Sequence, residues 1–479
     1  MFAKIKLHLP QIITVGIYFA LFTSLIFPYA DKDWGWHYKY GEYFLENGKL
    51  LVRDIYSWTL AGYAWINHSW LFDPILYILY NNIGYIGLSL AAAAIGIVCF
   101  YLITDGFKLK PWQLAICAIF FGQMLETGLI EGLRSQVLAL LPLGILMYLL
   151  KKGRSNPKLF SFIPPLFLIW ANLHGTFAFG ILILGVFFAA YFFEFKEYRK
   201  RLVIVGLLAL FCSLLNPFTY HSYLEVLRHT SSPYLKNIFE WLPIYAACPD
   251  CHVPTFSIYL VILLIAAIIK PQKSEIPYFL IVLGLTYQAI QARRYLPLFD
   301  VATIPLLASF LTRIKFKFLD LSAYKITAFL IIFMSVITIQ YNLTVRLPSF
   351  NFYKYSENDF CLRLSGCPMG ATEYIKKHPP IGNGFNFYDW GGYMIGHDFP
   401  VKLFVDGRMH LWGVHGYSPF GDYIKMYYNG DKDLFNQYDF DWALVQSGSP
   451  IAKMIEEGNV GNWRLAYYDE VSRYYIRIR

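Results

Sequence analysis

Charge is what this sequence has least of. Asp, Glu, Lys and Arg make up 15% of its 479 residues, against about 25% in an ordinary soluble chain. A surface so short of charge could not keep a chain of this size in water, which excludes a soluble enzyme. Disorder needs low hydrophobicity, and a content that is 57% hydrophobic and 19% aromatic excludes that too. Seven cysteines are too few for a disulfide scaffold. There is no glycine-rich phosphate loop of the nucleotide-binding kind, no internal repeat and no low-complexity tract. The formal net charge of +9 is a topology signal rather than a nucleic-acid footprint, because of where the basic residues lie.

What is present is a succession of apolar runs, each close to the ~20 residues that cross a bilayer. About eleven are predicted to be transmembrane helices: 11–29, 84–104, 112–129, 135–150, 159–172, 176–193, 202–215, 254–269, 276–290, 296–311 and 322–341. The first is not a cleaved signal peptide. It lacks a small-residue cleavage site and runs into Pro28, Tyr29 and an acidic loop. Basic clusters at Lys4/Lys6, Lys108/Lys110, Lys151/Lys152/Arg154, Lys196/Arg199/Lys200/Arg201, Lys270/Lys273 and Arg313/Lys315/Lys317 all fall on one side, which the positive-inside rule makes the cytoplasm. The expectation is an integral protein of the plasma (inner) membrane with its amino terminus inside. The outer side then receives a first loop (30–83), a second (216–253) and the whole tail. Residues 1–344 form a transmembrane module and 345–479 a small extracytoplasmic mixed α/β domain. In that domain 401–406 reads as a buried strand, 451–457 as a helix stopped by Gly458, and 464–478 as a hairpin.

Polar residues at membrane depth are costly and usually functional, and here the unusual ones map to the outer face. The first loop carries Asp31-Lys-Asp33-Trp-Gly-Trp36-His37. Trp36, Tyr40, Tyr43 and Phe44 then follow helical spacing up to a stop at Gly48. A second amphipathic stretch follows Asn67-His68-Ser69-Trp70. Two aromatic-rich interfacial helices would frame a place where membrane lipids and a lipid-borne substrate meet water. Asp31 and Asp33 could hold a divalent ion such as Mg or Mn or act as a general base; alternatively, Asp33 only caps the helix. Arg134, Arg293 and Arg294 have the planar fork suited to a phosphate, or else bind lipid headgroups or pair with Glu131. Asn172 and His174, in Trp170-Ala-Asn172-Leu-His174-Gly175, either orient a substrate or satisfy backbone groups in a tight turn. Glu240, before Trp241, is ambiguous. Cys99, Cys117 and Cys212 lie in spans as packing residues. Cys248, Cys251, Cys361 and Cys367 lie outside, where local 248–251 and 361–367 disulfides are expected; Cys248-Pro-Asp-Cys251-His252 could instead suggest zinc.

Together these residues resemble the GT-C superfamily of membrane glycosyltransferases. Asp31-x-Asp33 matches its first-loop acidic motif. Tyr388-Asp389-Trp390-Gly391-Gly392-Tyr393, followed by Val405-Asp406-Gly407-Arg408, resembles the WWDYG region of oligosaccharyltransferase catalytic subunits in a different residue order. The early D-x-W-x-H-x-x-x-G-E (Asp33 to Glu42), the Asn172–Gly175 N-L-H-G and the late Y-D-W-G-G-Y…D-G-R are similar to bacterial membrane proteins related to the protein O-mannosyltransferases. The resemblance implies an α-helical polytopic fold and a polyprenyl-phosphate-linked sugar donor. The acceptor would be a protein or lipid. Asp31 or Asp33 would be catalytic, and Arg293, Arg294 and Arg134 would hold the donor phosphate. Trp36, His37, His68, Asn172, His174, Glu240, Asp389, Asp406 and Arg408 would contact substrate. Two other readings stay open: an envelope glycan ligase or polymerase, and a non-catalytic transporter or assembly subunit.

Overall fold

The computed structural model describes residues 9–246, 253–269, 272–314, 321–364 and 366–479. Each of the eleven apolar runs overlaps helix, the form in which a segment satisfies its own backbone groups without water. Among the described residues five helices are long and apolar enough to cross a bilayer: Phe72–Thr104, Ser135–Gly153, Phe177–Glu194, Arg293–Arg313 and Lys325–Ser349. Many of their large apolar side chains point outward; Phe193 is 79% and Phe329 66% exposed. Exposure of that kind is stable where lipid, not water, is the neighbour. The helix Leu296–Arg313 is instead buried almost throughout and forms the core of its bundle.

The chain forms two compact units that alternate along the sequence. The first comprises 1–29, 83–220 and 237–355; the second comprises 30–82, 221–236 and 356–479. The helix that opens at Phe72 departs from helical geometry at Gly84, where φ is 58°, one residue past the change of unit.

In the second unit, the helix Trp34–Asn47 ends at Gly48 with a left-handed φ of 63°, the stop its sequence predicts. Its buried side is Trp34, Gly35, Trp36, His37, Tyr40 and Gly41. Among the described residues the tail builds a four-stranded sheet from β1 (Gly384–Asn386), β2 (Trp442–Gln446), β3 (Trp463–Tyr468) and β4 (Ser472–Arg477). The order is β1-β2-β4-β3. β1 runs parallel to β2, with Phe385 opposite Ala443; β4 is antiparallel to both β2 and β3. The hairpin expected at 464–478 and the helix before Gly458 (Pro450–Glu456) both form.

The strand expected at 401–406 does not form. Leu403 makes only an isolated bridge to Ser57. The Asn386 side-chain oxygen accepts the Phe404 N–H at 2.7 Å, and its amide donates to the Val405 carbonyl at 2.8 Å. A side chain thus does what a neighbouring strand would have done, so burial without a ladder is satisfied. Cys361 and Cys367 are joined as a disulfide; Cys248 and Cys251 lie outside the described residues.

Glycine sets the closest approaches in this unit. A methyl group on Gly392 would lie 2.0 Å from the Lys32 carbonyl oxygen, and one on Gly35 would lie 1.8 Å from the Gly392 carbonyl oxygen. The helix Gly391–Gly396 therefore rests backbone to backbone on the start of Trp34–Asn47. We expect Gly392→Ala to lower the thermal unfolding midpoint, at a cost of about 1–3 kcal/mol or more from forced separation. Gly284→Ala, where a methyl would meet nothing within 4 Å, should leave the midpoint unchanged or raise it; equal midpoints for the two variants would refute the close approach.

Candidate functional site

The first loop folds into a carboxylate-bearing turn. The Asp31 side chain is buried, and its Oδ1 accepts the Asp33 N–H at 3.1 Å. Asp33 stands at the N-cap position of Trp34–Asn47 but makes no side-chain cap hydrogen bond, so it does not act as the cap. Its Oδ1 accepts the Trp36 indole N–H at 3.0 Å and lies 1.9 Å from where a Gly407 methyl would be. Asp33 is only partly buried. Lys32, between the two aspartates, pairs with Asp389 at 2.5 Å. The early acidic motif, the Tyr388–Tyr393 segment and the Asp406–Arg408 segment thus meet in one unit, with glycines where the backbones touch.

Arg408 and Asp406 lie deeper. The Arg408 guanidinium reaches Asp54 at 2.9 Å and Asp406 at 2.6 Å, all three side chains fully buried, and donates to the Tyr40 hydroxyl at 2.8 Å. Burial works against the charge on Arg408, but Asp406, Tyr40 and Asp54 reverse that effect and hold its pKa above the ordinary value. Burial pushes the nearby Tyr56 hydroxyl up to about 12. A buried, hydrogen-bonded cluster of this kind specifies one packing, so Asp406 and Arg408 fix the framework and are not open to a ligand. Trp36 is also packed away, against His37, Tyr40 and Trp65. His37 bonds through Nδ1 to Asp73 at 2.5 Å, and Asn67 donates to the other Asp73 oxygen at 2.7 Å. His68 follows directly, with its ring edge-on to His229 at 5.5 Å. Near the disulfide, a hydrogen bond from His397 holds the Glu357 carboxyl below its usual range against the opposing effect of burial.

The first unit carries the arginines. Arg134 pairs with Glu131 at 2.5 Å and with Glu240 at 2.9 Å. Arg294 pairs with the other Glu240 oxygen at 2.9 Å and donates to Gln136 at 3.1 Å. Glu240, ambiguous in the sequence, bridges two of the three arginines. Arg293 stacks over Phe239 and Arg294 over Trp241, each at 4.2 Å. One terminal nitrogen of Arg293 is buried without a hydrogen-bond partner among the described residues. Three arginines against two glutamates leave one positive charge in the cluster. A narrow crevice of about 30 Å³ is lined by Arg294, Gln136, His174, Thr176 and Tyr295 among others. His174 Nδ1 accepts the Thr176 N–H at 3.2 Å. Asn172 donates to the Leu168 and Leu215 carbonyls, so its amide braces the end of the span.

No protein-family model matches the sequence, and no curated protein matches it either. Solved structures do. The oligosaccharyltransferase of Archaeoglobus fulgidus, tethered with an acceptor peptide containing the NVT sequon, aligns with a TM-score of 0.57 at 10% identity, over 97% of this chain and 74% of that one. The same protein in complex with Zn and sulfate aligns at 0.52 and 11% identity, over 91% and 68%. ArnT from Cupriavidus metallidurans bound to undecaprenyl phosphate aligns at 0.53 and 11% identity, over 98% and 97% of the two chains. The chain shares the fold of these two proteins.

Within this fold, Asp31 and Asp33 do not by themselves make a site for Mg or Mn. Among the described residues no three His, Cys, Asp or Glu side chains are grouped to hold a metal, and one oxygen of each aspartate already accepts an N–H. Mg needs near-ideal octahedral oxygen ligation. Asp54, Gln136 and Tyr40 were not singled out from the sequence for these contacts. Asp54 in the run Val52-Arg-Asp-Ile-Tyr looks like any loop acid, and only the fold shows that it faces Arg408.

If Glu240 is the bridge, Glu240→Gln should lower the thermal midpoint more than Glu131→Gln. It weakens two charge-assisted contacts, each worth about 1.5–3 kcal/mol at most, where Glu131→Gln weakens one. A larger loss for Glu131→Gln in the detergent-solubilised protein would contradict the bridge.

Proposed function

We propose that this chain is an integral membrane glycosyltransferase. It transfers a sugar or glycan from a polyprenyl-phosphate-linked donor to a protein or lipid acceptor on the outer face of the plasma (inner) membrane, with inversion. The amino terminus lies in the cytoplasm and the tail outside. The reading is supported by the fold, shared with one protein described as bound to undecaprenyl phosphate and another as tethered with an acceptor peptide.

The observation that carries it is the state of Asp33. It sits where a helix cap would be, yet its carboxylate is turned away from the helix N–H groups and held by Trp36 against Gly407. A carboxylate positioned at that cost to its helix, and partly open to solvent, is suited to act as a general base. Asp33 would take the proton of the acceptor hydroxyl as its oxygen attacks the anomeric carbon; the bond to the lipid phosphate oxygen breaks and the lipid phosphate leaves. Asp31, fully buried and bonded to the Asp33 backbone, is a positioning residue. Within the first unit, Arg293 is the arginine suited to a phosphate, because Arg134 and Arg294 are engaged by glutamates. His174, beside Arg294 in the crevice, would contact the donor headgroup. Asp389, paired with Lys32, borders the acceptor side, with His37 and His68 on the neighbouring loop.

In membranes supplied with a labelled lipid-phosphate sugar, Asp33→Asn should cut the rate about 10²–10⁴-fold, the usual range for loss of a general base. Asp31→Asn should reduce it less, and Arg293→Ala should raise the KM for donor more than it lowers kcat. Wild-type rates in both aspartate variants would end the catalytic assignment. Retention of anomeric configuration in the product would rule out direct displacement.

A further inference from the structure

At the end of the Gly391–Gly396 helix a histidine is held at both ring nitrogens, a feature the glycosyl-transfer reading does not use. His397 directly follows that helix. Its Nδ1 lies 2.8 Å from the Tyr393 carbonyl oxygen, and its Nε2 lies 2.6 Å from the Glu357 carboxylate. The Tyr393 hydroxyl donates to the same Glu357 oxygen at 3.1 Å. Glu357 is the ionised partner, since its carboxyl is held below the usual range. It also opens the helix Glu357–Arg363, and a helix N-terminus favours a negative charge. A carbonyl and a carboxylate only accept, whereas a neutral imidazole has a single N–H. Both contacts are therefore hydrogen bonds only when the ring carries two protons and a positive charge.

We propose that His397 and Glu357 form a proton-operated latch, which clamps the Gly391–Gly396 helix and opens when the imidazole loses its proton. In the neutral ring one contact must fail. A proton left on Nδ1 keeps the carbonyl and sets the Nε2 lone pair against the carboxylate. A proton left on Nε2 keeps Glu357 and gives up the carbonyl. What the latch secures is the wall beside the acidic turn. The His397 ring stacks on Tyr393, with centroids 4.0 Å apart and planes at 25°, and lies 5.8 Å from the Trp34 ring. A methyl group on Gly396 would be 2.7 Å from both the Trp34 ring and the Gly35 Cα. Gly392, on the same helix, abuts the Lys32 carbonyl. Lys32 and Trp34 flank Asp33 in sequence, so opening relaxes the surface against which Asp33 is set.

The other charged groups around the pair are matched elsewhere. Lys39, from the helix Trp34–Asn47, bridges Glu42 at 2.7 Å and Asp398 at 2.8 Å. Lys376 pairs with Glu373 at 3.3 Å; Lys376 favours the Glu357 carboxylate, and Glu373 adds to the burial that raises the Tyr393 hydroxyl. Among the described residues Glu357 is the one carboxylate in ion-pair contact with His397. Imidazoles change charge between about pH 5 and 8. The clamp adds stability while His397 is charged and loses it as the pH rises through that range. At the acid end it fails when Glu357 takes up a proton, below the usual carboxylate range. With the tail outside, as proposed above, the latch reads the acidity of the medium; that step rests on the proposed orientation, and the latch itself does not.

The test uses the full chain in detergent. Deuterium exchange at the imidazole C2 position, followed by peptide mass spectrometry against pH, reads the half-titration point of each histidine. Glu357→Gln should lower that point for His397 by roughly one pH unit, the effect of losing an adjacent opposite charge. It should leave His378 unmoved, whose ring contacts the Tyr374 carbonyl at an exposed position. A wild-type measurement covers the case in which the variant folds poorly. Amide exchange across 391–397, corrected for its intrinsic pH dependence, should rise by about tenfold between about pH 5.5 and 8.5, the change that linkage of one pH unit produces. His397→Gln should flatten that rise. A His397 half-titration point indifferent to Glu357→Gln, or corrected wild-type exchange equal at both pH values, would each overturn the latch. Neither readout involves sugar transfer, so loss of the glycosyltransferase reading would not affect them.

Discussion

A glycine contact underlies most of the second unit. At Gly35, Gly392 and Gly407 two backbones, or a backbone and the Asp33 carboxylate, come closer than any side chain would allow. The hydrogen-bonded turn Asp31-Lys-Asp33 is pressed against the Gly391–Gly396 helix on one side and the Asp406–Arg408 segment on the other. Position there is set by excluded volume, which is steep and directional, rather than by attraction. The carboxylate of Asp33 therefore keeps one orientation without helix-cap bonds, held by the Trp36 indole N–H.

Behind that contact lies a buried ion cluster. Asp54, Asp406 and Arg408 are fully removed from water, where unmatched charge would be severely penalised. The bidentate Asp406 contact, the Asp54 contact and the Tyr40 hydroxyl supply the matching. In the first unit the same chemistry is used nearer the surface, with a different balance. Glu240 bridges Arg134 and Arg294, Glu131 supplies the second negative charge, and the three arginines keep one surplus positive charge. Aromatic faces at Phe239 and Trp241 carry part of the load that carboxylates carry around Arg408.

The apolar runs were readable as helices because a helix in lipid must be continuous in hydrophobicity; each of the eleven overlaps helix, and among the described residues five helices are long and apolar enough to cross a bilayer. Gly48 and Gly458 were readable as stops because both adopt the left-handed conformation that favours glycine. The strand expected at 401–406 was misread for an instructive reason: burial and β-branched composition look alike whether the partner is a strand or the side chain of Asn386. Arg408 and Asp406 stood out as chemistry-bearing residues and proved to be matched inside the protein. Glu240 stood out weakly and proved to join two arginines 160 residues apart in sequence.

The sequence alone determined which stretches are apolar enough to leave water, since that follows from local composition and the cost of burying charge. It also marked the three segments whose glycines and aspartates recur together. Tertiary structure alone decided what those residues do. Whether an arginine faces a carboxylate or an open crevice, whether a cap position caps, and whether a histidine is held at both ring nitrogens depend on backbones distant along the chain. Those approaches are fixed by packing to within a few tenths of an ångström, a distance to which local composition is blind.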